Sequence, residues 1–200
     1  MDISPAEKVR KRIEESNAAF LASSREGKRI MLALDVIYQL SIRRMVPMSV
    51  YFDPGDKYFE RSGLEVRDVL KEVDTCFVCG IGSFFMAAVE RLNEFKFRDF
   101  EDDFTTSSRF RGNIVAYLGK HDLFSLAEML AVEAFFELYN DASQHRSARM
   151  WKEEPNNDHT VRLKRIAEVV VRTEGRQELT LDLLMKELPT GEFDPLPVTP

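Results

Sequence analysis

The stretch from Thr75 to Asn93 limits the fold more than any other. It holds both cysteines, two of the nine glycines and the most apolar run in the chain. Cys76-x-x-Cys79-Gly80-x-Gly82-Ser83 reads as a tight turn, because small residues and glycines release the backbone there. Phe84 to Phe95 then continues with helical spacing. The expectation is a buried helix from about Gly82 to Phe95, with Phe85, Val89 and Leu92 on one face. A chain containing such a helix must surround it, and fifteen phenylalanines supply large side chains for that core.

Two hundred residues suit one domain. No window approaches the roughly 18 consecutive apolar residues of a membrane span, so no membrane association is expected. The N-terminus lacks the apolar core of a signal peptide. Two cysteines three positions apart make no disulfide framework, so a cytoplasmic location with reduced thiols is expected. The net charge of −6 argues against direct nucleic-acid binding, which relies on Lys and Arg at phosphates. A local basic patch stays open, since residues 1–45 carry nine Lys/Arg against six Asp/Glu.

Most of the chain reads as helix. Ser4-Pro5-Ala6-Glu7 is a helix start, with Ser4 as cap and Pro5 in the first position. That helix runs to about Ala22, and Ser23 to Gly27 breaks it. A second helix is expected from Lys28 to about Arg44, with Ile30, Leu34, Ile37 and Leu40 on one face. Met48–Phe52 and Lys57–Phe59, around Asp53-Pro54-Gly55-Asp56, read as a short β-hairpin within residues 48–59. Short helices follow at Leu64–Val73 and Arg109–Leu118. Ser125-Leu126-Ala127-Glu128 is a capping box that opens a helix to about Tyr139. Because that helix is apolar almost all round, it is expected at the centre of the fold. Residues 140–157 are polar, with Trp151 as an anchor. Helices at Asp158–Thr173 and Thr180–Leu188 complete a mainly α domain spanning residues 1–188. Residues 189–200, with four of the eight prolines, form a Pro-rich tail without fixed structure.

Each chemistry suggested by the cysteine turn lacks a component. A redox Cys-x-x-Cys follows a buried strand, whereas the preceding segment here reads as helix. Zinc needs about four ligands, and His121, His145 and His159 stand at no finger spacing from the cysteines. Gly80-x-Gly82 lacks the third glycine of a dinucleotide motif, because Phe85 occupies that position. The histidines have no nucleophile turn such as Gly-x-Ser-x-Gly for company. No metal and no cofactor are expected. The thiols read first as small buried apolar groups.

Two carboxylates, Glu133 and Glu137, lie one turn apart within an apolar run. They could perform acid–base work or hold a metal. Pairing with Arg109, Arg111, Arg162 or Arg165 is the better expectation, since buried charge requires a partner. Asp99, Glu101, Asp102 and Asp103 alternate with phenylalanines. That acidic stretch is either a solvated edge or a docking surface for a basic partner.

Several segments together resemble a known group. They are Ile30 to Leu40, Tyr51, Cys76-x-Val78-Cys79-Gly80-Ile81-Gly82-Ser83-Phe84-Phe85, Leu130 to Glu137, Trp151 and Asp158-x-x-Val161-Arg162-Leu163-x-x-Ile166. Over residues 28–175 the chain resembles uncharacterised proteins of phage and prophage genomes. In these a Cys-x-x-Cys-Ala-x-Gly block precedes an apolar helix and an Ile-Glu-x-Ala-Phe-Glu block follows. Here Gly80 stands for the usual Ala, Val132 for the usual Ile, and Arg172 to Gly175 for an Asn-rich turn. The resemblance implies a phage-type intracellular setting and no particular mechanism. The expected function is therefore a non-enzymatic binding protein acting on a host macromolecule, with inhibition of a host defence system as one form. The alternative is a small-molecule or nucleotide-binding protein, or enzyme, holding an anion on the N–H groups of Gly80, Gly82 and Ser83. Arg109, Arg111 and Glu133 would stand nearby. A structural protein working as a homo-oligomer is a third expectation.

Overall fold

The computed structural model describes residues 3–55, 65–95, 108–137 and 157–186. Eight helices are found among them: α1 (Pro5–Ala22), α2 (Arg25–Ser41), α3 (Val66–Leu70), α4 (Gly80–Leu92), α5 (Ser108–Lys120), α6 (Leu126–Phe136), α7 (Asn157–Arg172) and α8 (Leu181–Lys186). Three short strands, β1 (Met45–Pro47), β2 (Phe52–Asp53) and β3 (Cys76–Val78), form a small sheet. The fold is mainly α, as the sequence suggests. No described helix is long and apolar enough to cross a membrane.

Local chemistry sets several boundaries where expected. The Ser4 hydroxyl accepts from the Glu7 N–H at 3.3 Å and starts α1. Ser125 and Glu128 form a reciprocal capping box at α6, at 3.1 and 2.8 Å. Helix α7 ends before Gly175, whose φ of 66° favours glycine. There the Glu26 carbonyl would lie 2.5 Å from any added Cβ. Helix α2 begins earlier than the spacing predicts, because Ser24 accepts from the Gly27 N–H and Gly27 is drawn into the first turn.

The sheet differs from the expected hairpin. β3 is the central strand, parallel to β1 with Met45 opposite Cys76 and antiparallel to β2 with Phe52 opposite Val78. The expected return strand at Lys57–Phe59 lies outside the described residues, as do the acidic stretch 99–103, Trp151 and the tail 189–200. The segment before Cys79 is thus a strand, where the spacing suggested a helix and turn. Three residues are too few for a period to show.

α4 runs through the core. Every position from Gly80 to Arg91 is buried. Phe85 meets Phe52, Phe95, Phe110 and Tyr117 edge to face, with ring centroids 4.8–6.0 Å apart. α6 was expected to be the central helix, yet it lies at the surface. It buries Met129, Val132, Phe135 and Phe136 and exposes Leu126 and Leu130. The expected inner face of α2 is also displaced. Leu34 is 39% exposed, while Arg29, Leu32, Ala33, Asp35, Val36 and Gln39 are buried.

Candidate functional site

The chain enters α4 directly from β3, and Cys79 is the cap. Its Sγ accepts from the Gly82 N–H at 3.5 Å, and its carbonyl accepts from the Ser83 N–H at 3.0 Å. Ser83 turns its hydroxyl back to the Gly80 carbonyl at 2.7 Å. Gly82 lies directly beneath the Tyr51 carbonyl, which a Cβ would meet at 1.5 Å. Gly80 fits against Val132 and Phe136 of α6, where a Cβ would stand 3.0 Å from each. The two glycines therefore serve close approach. The N–H groups of Gly82 and Ser83 already have acceptors within the chain, and this helix start is fully buried.

Both thiols are free and buried. Burial pushes the Cys79 thiol up to about 12, against the Gly82 and Ile81 N–H groups. Burial also pushes Cys76 up strongly, despite nearby Arg44. The strand β3 begins at Cys76 itself and leads into Cys79, but both thiols are held protonated, the opposite of what a thiolate nucleophile needs. Among the described residues no group of three or more His, Cys, Asp or Glu is placed to hold a metal.

Beside this helix start lies a half-exposed polar cluster. The Tyr51 hydroxyl donates to Glu133 Oε1 at 3.0 Å, and Arg111 Nη2 pairs with Glu133 Oε2 at 2.5 Å. Ser49 donates to Glu137 Oε2 at 2.9 Å. Burial raises the Glu137 carboxyl; Glu133 pushes the same way, while Ser49 and Arg162 oppose. Arg162 Nη1 also donates to the Phe136 carbonyl at 3.0 Å. Of the residues singled out in the sequence, the structure joins Arg111 to Glu133. It links that pair to Gly82 through Tyr51, whose carbonyl covers the glycine and whose hydroxyl holds the carboxylate. The side chain of Arg109 lies outside the described set. The arrangement fits the expected paired network.

The spacing gave no sign of a second set of buried charges along α2. Arg29 pairs with Glu128, which also accepts from the Leu179 N–H at 3.2 Å. Asp35 holds Arg91 through Oδ2 and, at 3.0 Å, through Oδ1, and Arg12 joins it at 3.2 Å. Gln39 donates to Glu90 at 2.7 Å, and Arg44 pairs with Glu90 while donating to the Leu70 and Val73 carbonyls at 2.6 and 3.1 Å. Glu90 and Arg91 carry two of these pairs into the end of α4. The available signal was two adjacent charges inside the most apolar run.

The remaining surface feature is apolar. Leu126 is 60% and Leu130 42% exposed, one turn apart on α6. α8 packs on α6 and exposes Leu181 and Met185.

Comparison with known proteins returns no match: no family model, no curated protein and no solved structure matches this chain.

Proposed function

We propose that this chain is a non-enzymatic binding protein that acts on a host macromolecule through the outer face of α6. The observation that carries this reading is the exposure of Leu126 and Leu130 on a helix whose other face is core. Adjacent exposed apolar side chains on one outer face form a patch that a protein contact can cover. The buried, protonated thiols and the occupied N–H groups at α4 favour binding over catalysis. With a net charge of −6, the fitting partner is a protein whose apolar face is ringed by Lys and Arg. Inhibition of a host defence system is the form this takes in the phage-type setting that the resemblance implies.

Immobilised wild-type chain and the Leu126→Ser/Leu130→Ser variant, compared for capture of the same purified basic partner, test the reading. Wild type should retain the partner, less so as salt rises, and the folded double variant should lose it. Equal capture by both, or light scattering that shows the α6 face closed by a second copy, would overturn it.

A further inference from the structure

A cavity of about 70 Å³ opens between α1, α3 and the end of α4. Its inner walls are apolar, from Val9 and Ile13 of α1 and Leu70 of α3. The buried pair Arg44 and Glu90 closes one side. Their charges cancel, and Arg44 is held by Gln39, Leu70 and Val73 as well, so neither side chain is released to a ligand.

The outer lining is cationic. It has Arg10, Arg67 and Lys71 against Glu14. Arg10 lies 3.7 and 3.9 Å from Glu7 and Glu14, and Lys71 lies 2.6 Å from Asp68, all of them exposed pairs that contribute little. Arg67 differs. It is half-buried, and among the described residues its guanidinium has no carboxylate within ion-pair reach. An arginine with no carboxylate partner among the described residues, beside an apolar recess in a chain with an acidic surplus, provides a charge for a ligand to meet.

We propose that this cavity binds a small monocarboxylate with a short alkyl body. The carboxylate pairs with Arg67 at the outer edge, and the alkyl group lies between Val9, Ile13 and Leu70. Size sets the class. At roughly 10–15 Å³ for each water-sized position, the cavity takes about five or six heavy atoms, those of a three- or four-carbon acid. The apolar walls and the nearby Glu14 and Glu90 disfavour a compact dianion such as phosphate.

Propionate, propionamide and inorganic phosphate, each added to the full chain, provide the test. Propionate should raise the thermal midpoint and shift the methyl resonances of Val9, Ile13 and Leu70, while propionamide should do neither. Arg67→Gln, shown to be folded by circular dichroism, should weaken propionate binding by about tenfold or more, and Arg67→Lys should restore part of it. Several results would overturn the proposal: no response of the wild-type chain, equal responses to propionate and propionamide, equal responses to phosphate, or undiminished binding in Arg67→Gln.

Discussion

α4 and α6 are both apolar helices, yet only α4 is buried along nearly its whole length. α6 is apolar almost all round, yet Leu126 and Leu130 face solvent. α4 carries Glu90 and Arg91 in its last turn, yet both are buried. Pairing is what lets these charges be buried. Glu90 meets Arg44 and Gln39, and Arg91 meets Asp35, so the charged end of α4 enters the core with its polar groups answered. The apolar side chains of α6 need no partner to stay outside. An exposed leucine forgoes burial energy of about 1.5–3 kcal/mol, whereas an unpaired buried charge costs several. Pairing therefore decides whether a charged residue can be buried, at Glu90 and Arg91 of α4 as at Glu128 of α6, which meets Arg29.

The largest effect should come from breaking that pairing. Arg44→Ala leaves Glu90 buried without its cation and frees the Leu70 and Val73 carbonyls, which should cost about 3–5 kcal/mol in urea unfolding. Arg44→Met combined with Glu90→Leu should lose less than Arg44→Ala alone, because no isolated charge remains. If the double variant is the worse of the two, pairing is not what admits α4 to the core. Gly82→Ala probes the other end of the same helix. Its methyl group must displace the Tyr51 carbonyl, at an expected cost of about 1–3 kcal/mol. It should also disturb the Tyr51–Glu133 contact, visible as a changed tyrosine environment in near-ultraviolet spectra.

The comparison also explains which parts of the fold could be read in the sequence. The caps at Ser4 and Ser125 were legible because a cap is a contact within four residues. The Arg111–Glu133 pair was legible because a carboxylate inside an apolar run demands a cation. The inner face of α2 was not legible. Arg29, Asp35 and Gln39 read as outward residues until Glu128, Arg91 and Glu90 arrive from other elements to meet them. β3 was hidden by its length, and its pairing with β1 depends on a chain segment some thirty residues away. Tyr51 was visible as a residue but not as a link, since its carbonyl and hydroxyl serve two different helices.

On the outer side of α6 the expected effects are small. Leu126→Ser with Leu130→Ser should change stability by no more than about 0.5 kcal/mol per site, in contrast to the α4 variants. A larger loss would mean that the α6 face is covered in the free chain.

The smallest effect separates Glu90 from Glu137 by pH. Burial raises both Glu90 and Glu137 above the ordinary 4.5. A raised carboxyl keeps its proton longer in the folded state than in the unfolded one. Below about pH 4.5 both states are protonated and the contribution to stability is complete. As pH rises past that value the unfolded chain releases its proton first, and stability falls until the folded group titrates. Glu137→Gln removes this loss, and the amide oxygen can still accept from Ser49. The variant should therefore gain on wild type as pH rises from 4 towards 7, seen as a widening difference in urea midpoint. Glu90→Gln should gain in the same direction with pH but from a lower starting point. Arg44 would then be the buried charge without a counter-ion, so the variant should be the less stable at neutral pH despite the same direction of shift. If Glu90→Gln matches wild type at neutral pH, the Arg44 pairing of Glu90 carries no weight.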